Sequence, residues 1–229
     1  MYKLVIGNRN YSSWSLRAWL YLAASGLEFK TERLSLFSDS WLESIGSVSP
    51  AGRVPVLVDG DNTVWDSFAI THYLREREPN ALDYPKEPAA RTHAMSIVAE
   101  MHSGFMSIRG ELPQNLKRSD PIDPSSLSES CRLQIKRINT MWRDLRRRYR
   151  PAGPWLFGDF SIADVFYAPV ALRFHSYGVA LSPDAKSFVD AVRGHALIAE
   201  WVAEAIQETE SIDFIDERVP VDKAPLVLG

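Results

Sequence analysis

The hydrophobic periodicity changes once along the chain, and this change restricts the fold more than any other feature of the sequence. In the first third of the chain, strand and helix patterns alternate, whereas beyond it apolar residues recur almost everywhere at helical spacing. The segment EPNALDYPKEPAA, residues 78–90, contains three prolines and separates the two patterns. We therefore predict a mixed α/β domain over residues 1–79, a linker over residues 80–88 and an all-helical domain over residues 89–229.

The N-terminal domain is predicted to follow the order β-α-β-(loop or short helix)-β-β-α. Apolar or alternating segments predict the strands, while apolar residues at i, i+3, i+4 and i+7 predict the first helix, which ends at Gly26. The segment from Asp59 to Asn62 has the composition of a hairpin turn. The first strand is placed at residues 2–6, the first helix at residues 15–26 and the second strand at residues 29–36. Residues 54–67 hold two further strands, and the last helix of this domain follows over residues 67–78.

The C-terminal part of the chain is predicted to be a bundle of helices. Apolar residues over 98–108 mark one long helix, and an apolar stripe over 131–149 marks another. Further helices are predicted to begin at residues 161 and 182 and after Gly194. The tail over residues 211–229 has two prolines and no sustained period. Disorder is the default for such a terminus, and packing over the surface is the alternative.

Charge and cysteine content exclude several classes of protein. The formal net charge is −3, so no global positive field attracts nucleic acid or an anionic membrane. The one basic run, WRDLRRRYR, closes a helical pattern, where cations complement the helix dipole, and we expect a solvated helix end there.

The single cysteine, Cys131, lies on an apolar stripe, which favours a buried thiol over a reactive one. The five histidines show no metal-ligand spacing, so we expect no metal.

Targeting and membrane segments are also not predicted. The N-terminal stretch MYKLVIGNRN becomes polar too early for a signal peptide. No apolar run approaches the roughly 18 residues of a membrane-spanning helix. We therefore expect a cytoplasmic protein with no membrane partner.

A proline within an apolar strand pattern forms the first of three motifs. In AGRVPVL, Pro55 cannot donate to a sheet ladder, so it requires a sheet edge or a bend. A cis Val54–Pro55 bond would turn the N–H and C=O of Val54 away from the sheet, where an extended peptide ligand could pair with them like another strand. A trans proline on an edge strand is the alternative.

The other two motifs lie at predicted helix starts. In WDSFAI, Asp66 and Ser67 are residue types that satisfy the unpaired N–H groups of a first turn. The same N–H groups, the serine hydroxyl and the positive helix end also form a carboxylate site. In FGDFSIADVFYAP, Ser161 and Asp164 form a capping box, which we expect to be wholly structural.

In this order and at these spacings, the three motifs resemble those of the cytosolic glutathione S-transferases over nearly the whole chain. The resemblance implies an N-terminal thioredoxin-like β-α-β-β-β-α domain followed by an all-helical C-terminal domain, glutathione as co-substrate and a homodimer. It also implies a cis Val54–Pro55 bond. It assigns the carboxylate site at Ser67 to the γ-glutamyl group of glutathione, with Asp66 facing its ammonium. Arg53 could reach the glycine carboxylate, although a solvated loop arginine fits equally well.

The stretch NYSSWSLRAW carries the expected chemistry. Ser12 and Ser13 lie at the start of the first helix, where serine is a preferred N-cap, but one cap needs only one of them. A hydroxyl that donates to a thiol sulfur stabilises the thiolate, and the helix dipole adds to that effect. The stretch resembles serine-type, theta- and zeta-like members of bacterial type, with Trp14 where the zeta class usually has cysteine. The resemblance places the activating hydroxyl on Ser12, with Ser13 close behind and Tyr11 as a third candidate.

The resemblance further implies an electrophile pocket lined by the first loop, the first long helix and the tail. The residues it suggests are Tyr11, Trp14, Met101, Phe105 and Arg109. Met101 and Phe105 share an apolar stripe with Val98, so core packing is the favoured interpretation for both. Arg109 could recognise an acidic substrate, but a solvated helix position is the simpler interpretation.

Two kinds of function are compatible with these residues. The first is a glutathione S-transferase that adds the thiolate to small hydrophobic electrophiles, with maleylacetoacetate-isomerase-like or glutathione peroxidase activity as variants. The second is a non-catalytic binding or structural module with the same fold, because a fold does not determine a function. The intact serines, Val54–Pro55 and Asp66–Ser67 favour the enzyme.

Overall fold

The structure is a computed structural model that describes residues 1–218. The chain forms two compact units, Met1–Leu82 together with the described residues from Glu200 onward, and Asp83–Ala199. The first division falls within the predicted linker, residues 80–88. The second unit ends at Ala199, and the described residues from Glu200 onward group with the first unit. Residues 219–229, the last part of the tail expected to be disordered, lie outside the described residues.

The N-terminal unit contains a four-stranded sheet in the order β2-β1-β3-β4. Its elements are β1 (Tyr2–Ile6), α1 (Ser13–Ala24), β2 (Phe29–Arg33), α2 (Trp41–Gly46), β3 (Val56–Asp59), β4 (Asn62–Val64) and α3 (Ser67–Arg77). The interior strand β1 pairs in parallel with β2 and antiparallel with β3. Its residues Leu4, Val5 and Ile6 are fully buried, as expected for a strand covered on both faces. This is the predicted thioredoxin-like arrangement.

Strand β2 is shorter than predicted, because it ends at Arg33 and not at residue 36. The ladder that it forms with β1 ends at the pair Ile6–Arg33. Beyond that pair, the backbone N–H of Leu36 donates to the side-chain oxygen of Asn8 at 2.8 Å. The chain after β2 therefore supports the loop that follows β1.

The second unit is helical. Its helices are α4 (Pro88–Ser103), α5 (Met106–Glu111), α6 (Glu129–Tyr149), α7 (Ile162–Ser176), α8 (Pro183–Gly194) and the first residues of α9 (Ala196–Gln207). Every residue of α7 except His175 is buried. The ring of Trp142 lies 4.9–5.9 Å from the rings of Tyr167, Phe174 and Phe188, so aromatic packing fills this core. Among residues 1–218, no helix is long and apolar enough to cross a membrane.

The single helix predicted over residues 98–108 is in fact two helices. α4 ends at Ser103, Phe105 has a φ of 59°, and α5 begins at Met106. A Cβ on Gly104 would lie 2.6 Å from the carbonyl oxygen of Glu100, so this break requires glycine. The helical period continues through the break because buried residues on both sides fill the same core.

Two predictions for α6 have different outcomes. Cys131 is fully buried, and burial raises the pKa of its thiol to about 12, which confirms a structural cysteine. The basic run, in contrast, is not a wholly solvated helix end. Arg146 is 3% exposed and donates to the carbonyl oxygen of Trp155. Arg147 and Arg150 pair with the carboxylate of Asp184, which explains why cations cluster at this helix end.

The capping box at the start of α7 is present as predicted. The carboxylate of Asp164 accepts the backbone N–H and the hydroxyl of Ser161, both at 2.9 Å. It also accepts the backbone N–H of Leu156 at 2.9 Å. The side chain is fully buried, and burial raises its pKa to about 7 although the hydrogen bonds oppose this shift. Asp164 thus joins the start of the buried helix to the segment before it.

We expect Asp164→Ala to lower the free energy of unfolding by about 2 kcal/mol, because two buried backbone N–H groups lose their acceptor. Urea unfolding followed by circular dichroism measures this change. Asp190→Ala is the control, since Asp190 lies on α8 in an exposed pair with Lys186 and its loss should cost less than about 0.5 kcal/mol. Equal losses for the two variants would contradict the capping role.

Candidate active site

The loop between β1 and α1, residues 7–12, is buried and folded back on the start of α1. The backbone N–H of Gly7 donates to the hydroxyl of Ser15 at 3.0 Å. The backbone N–H of Ser12 donates to the carbonyl oxygen of Asn8 at 2.8 Å. These bonds close the loop into a tight turn, so its position and that of the first helical turn are coupled.

Ser12 is the N-cap of α1, as one of the two sequence interpretations required. Its hydroxyl oxygen accepts the backbone N–H of Ser15 at 3.2 Å. The same hydroxyl donates its proton to the hydroxyl oxygen of Ser15 at 2.8 Å. The single proton of the Ser12 hydroxyl and one of its two acceptor lone pairs are therefore used inside the protein.

Ser13 occupies the first position of α1 and differs from its neighbour. Its side chain is 6% exposed, and within residues 1–218 its hydroxyl forms no hydrogen bond. The hydroxyl lies at the positive end of the helix dipole, where an anion is stabilised. Ser13 therefore has a proton to donate that Ser12 has already committed to Ser15.

Tyr11, the third candidate for the activating hydroxyl, is bonded to the C-terminal part of the same unit. Its hydroxyl donates to Asp216 at 2.9 Å and accepts the backbone N–H of Ile212 at 3.3 Å. Burial and the Asp216 carboxylate raise the pKa of Tyr11 to about 12. This arrangement argues against Tyr11 as a thiol activator.

Trp14, another pocket candidate, packs against Arg17. The guanidinium of Arg17, which is fully buried, lies 4.7 Å from the centre of the Trp14 ring.

The Val54–Pro55 peptide bond is cis, as predicted. Pro55 is buried and Val54 is half-buried, just before the first residue of β3 that pairs with β1. The neighbouring Arg53 is exposed, and its backbone N–H and C=O both bond to the hydroxyl of Ser49, at 3.1 and 2.7 Å. The peptide that could pair with an extended ligand is thus held by a fixed turn on one side and the sheet on the other.

Asp66 caps helix α3, whereas the hydroxyl of Ser67 is left available for a ligand. Asp66 is the N-cap of α3, where one carboxylate oxygen accepts the backbone N–H groups of Phe68 and Ala69 at 2.8 and 3.3 Å. Ser67 is fully buried, and in the described part of the chain its hydroxyl has no hydrogen-bond partner. Buried hydroxyls are normally paired, so this one is suited to meet a ligand oxygen.

The three pocket candidates in the helical unit have different environments. Met101 and Phe105 are buried, which agrees with core packing. Arg109 is half-buried and is not a solvated helix residue. Its guanidinium donates to the carbonyl oxygens of Gly104 and Met101, and burial lowers its pKa to about 10.

A second arginine of the helical unit, Arg173, was not selected from the sequence. It lies on α7 and is 3% exposed, and among residues 1–218 its Nε and Nη1 atoms have no acceptor. Burial and the nearby charge of Arg109 lower its pKa to about 9. The signal for it was a single arginine within the apolar run FYAPVALRF, where a charge is costly unless it is paired.

Metal ligands are not grouped in the described residues, since no three His, Cys, Asp or Glu side chains there could hold an ion together. The candidate site of the N-terminal unit is instead a set of hydrogen-bonding groups. These groups suit an extended peptide that carries a negative charge. They are the backbone N–H and C=O of Val54, the buried hydroxyl of Ser67 and the start of α1 with the hydroxyl of Ser13.

Known proteins share both parts of this architecture. The family model described as glutathione S-transferase, N-terminal domain, matches residues 11–77, and that described as glutathione S-transferase, C-terminal domain, matches residues 89–204. The chain is 25% identical over 177 residues to a probable maleylacetoacetate isomerase of Caenorhabditis elegans, which covers 76% of this chain and 79% of that protein.

Solved structures show the same fold. A glutathione transferase homolog from Burkholderia, with bound glutathione, is 24% identical with a TM-score of 0.67, over 90% of this chain and 99% of that one. A second solved structure is that of a maleyl pyruvate isomerase, a bacterial glutathione S-transferase of the zeta class. It is 20% identical to this chain, with a TM-score of 0.68, and the match covers 91% of this chain and 100% of that one. With both of its domains matched in order, the chain belongs to the glutathione S-transferase family.

Proposed function

We propose that this protein is a glutathione S-transferase that ionises the thiol of glutathione at the start of α1 for attack on small hydrophobic electrophiles. The observation that carries the proposal is the Ser13 hydroxyl, which is positioned at the positive helix end and has no hydrogen bond within the described residues. Ser12, whose hydroxyl is bonded to Ser15, is assigned the role of the cap.

Glutathione fits the polar groups of the N-terminal unit. Its cysteinyl backbone would pair with the N–H and C=O of Val54, and its γ-glutamyl carboxylate would accept the buried hydroxyl of Ser67. Asp66, exposed at the same helix start, would face the γ-glutamyl ammonium, and the exposed Arg53 the glycine carboxylate. Each charged end of the tripeptide thus has an oppositely charged or hydrogen-bonding partner.

Thiol activation follows from hydrogen bonding and the helix dipole. A free cysteine-type thiol has a pKa of about 8.5, so only a few per cent is ionised at neutral pH. The hydroxyl of Ser13 would donate to the sulfur and lower this pKa, and the thiol proton would leave to solvent. The thiolate then forms a carbon–sulfur bond with the electrophile, whose leaving group departs with the bonding electron pair. Lowering the pKa of the glutathione thiol by one unit raises the thiolate fraction about tenfold.

We expect glutathione bound to the unaltered protein to show a thiol pKa about one to two units below that of free glutathione. Ser13→Ala should raise it close to the free value and lower kcat/KM about tenfold or more at neutral pH. The ultraviolet absorbance of the thiolate, followed during a pH titration, measures the pKa. The folded protein should be about as stable as before, since Ser13 is not the cap.

Ser12→Ala is the matched variant. It should lower the free energy of unfolding by about 1 kcal/mol through loss of the cap, and it should change the bound thiol pKa less than Ser13→Ala does. The reverse order of the two pKa effects would assign activation to Ser12. A bound thiol pKa equal to the free value in the unaltered protein would mean a non-catalytic module.

A second candidate function, isomerisation of an acidic substrate, is favoured by Arg173. A buried guanidinium whose Nε and Nη1 atoms have no acceptor among the described residues suits a substrate carboxylate, which Arg173 would bind with Arg109 close by. The relatives named maleylacetoacetate isomerase and maleyl pyruvate isomerase support the same class of substrate. Peroxidase activity and a homodimer stay predictions of the family resemblance, and a cytoplasmic location stays a prediction of the sequence.

Arg173→Met tests this candidate with an unusual expected combination. Removing an unpaired buried charge should leave the unfolding free energy unchanged or higher. The kcat/KM with maleylacetoacetate should fall by about two orders of magnitude, because a buried charge-assisted carboxylate contact is lost. The kcat/KM with 1-chloro-2,4-dinitrobenzene, which has no carboxylate, should change less than about twofold.

Arg193→Met, at an exposed position at the end of α8, is the control and should alter neither activity. Equal losses for the two substrates in Arg173→Met would contradict carboxylate recognition. No loss with maleylacetoacetate would contradict it as well.

A further inference from the structure

The described residues from Glu200 onward, which belong to the same compact unit as residues 1–82, contact the loop that precedes Ser12. The indole N–H of Trp201 donates to the carbonyl oxygen of Arg9 at 3.1 Å. The guanidinium of Arg9 lies 4.6 Å from the Trp201 ring and 2.7 Å from the carboxylate of Glu204. These contacts join residues about 190 positions apart, so the end of the chain supports a loop near its beginning.

Glu208 makes the closest backbone contacts of this kind. One oxygen of its carboxylate accepts the backbone N–H of Arg9 at 2.7 Å, and the other accepts that of Asn10 at 3.2 Å. The carboxylate is 7% exposed, so water does not compete freely for these bonds. A single side chain thus satisfies two consecutive backbone donors just before the candidate thiol site.

The segment that carries Glu208 is itself fixed to the sheet side of the unit. The carboxylate of Glu210 accepts from the guanidinium of Arg33 at 2.7 Å and from the hydroxyl of Ser35 at 3.0 Å. A hydrogen bond from its own backbone, followed by those from Arg33 and Ser35, lowers the pKa of Glu210 to about 2. Because a lowered pKa keeps this carboxylate ionised above mildly acidic pH, the anchor is constant over the range in which a thiol titrates.

We propose that Glu208 is a positioning residue for thiol activation: by holding the backbone N–H groups of Arg9 and Asn10, it fixes the loop that leads into α1 and so the place of the Ser13 hydroxyl. The inference rests on the proposed function. The loop is closed by the bond from the Ser12 N–H to the Asn8 carbonyl, so a displacement at residues 9 and 10 moves the cap and the first helical turn with it.

Glu208→Gln tests this role, since the side chain keeps its size but turns an N–H group toward one of the two backbone donors. We expect the pKa of the bound thiol to rise by about one unit. The kcat/KM should fall about tenfold at neutral pH and recover at alkaline pH, where the thiol is ionised without help. The KM for glutathione should change less than about twofold, because the groups at Val54 and Ser67 are untouched.

Glu204→Gln is the matched control, with the same change of charge one helical turn earlier. Glu204 pairs with the side chain of Arg9 and no bond from it to the loop backbone is present in the described residues, so its pH profile should stay that of the unaltered protein. Hydrogen exchange of the Arg9 and Asn10 amides gives a second readout, which should accelerate in Glu208→Gln and not in Glu204→Gln. If Glu208→Gln does not fold, Glu208→Asp should give the same changes at smaller size.

Each outcome has a defined meaning. Faster exchange together with the shifted pH profile supports the positioning role. Unchanged exchange, or faster exchange with an unchanged thiol pKa, overturns it while leaving the proposed function intact. An unlowered thiol pKa in the unaltered protein overturns the proposed function itself, and with it this inference, before any variant is compared.

Discussion

The hydrogen bonds of the Ser12 hydroxyl are the contacts on which the rest of the site depends. They join the buried loop after β1 to the first turn of α1, with Ser15 receiving the proton of Ser12 and a backbone N–H from Gly7. Because Ser12 is committed to this structure, its neighbour Ser13 is left with a hydroxyl that has a proton to offer. A cap and an activating group are thus adjacent residues with separate tasks, which explains why the sequence has both.

Much of the N-terminal unit could be predicted because its signals are local. The order of elements along the chain, the turn at Asp59–Asn62 and the cap at Asp66 follow from residues that act on their immediate neighbours. The capping box of Ser161 and Asp164 is of the same kind. The cis Val54–Pro55 bond is different, since the residues alone left cis and trans open and the family resemblance decided between them.

What the sequence did not indicate depends on distant contacts or on burial. Glu208 meets a loop almost 200 residues earlier, and nothing in its own neighbourhood suggests a backbone acceptor. Arg146 lies in a basic run whose helical spacing is compatible with solvent, and only packing shows that it is buried. The α4–α5 break was missed because Gly104 and Phe105 interrupt the backbone without interrupting the apolar period.

A crystal structure of this protein with glutathione bound would test directly whether Ser13 activates the thiol. We expect the sulfur within about 3.5 Å of the Ser13 hydroxyl, with the bond between Ser12 and Ser15 intact and the γ-glutamyl carboxylate at Ser67. A sulfur bonded to Ser12, with the Ser12–Ser15 bond broken, would contradict the division of tasks between the two serines. Glutathione bound away from the start of α1 would contradict the proposed activation as a whole.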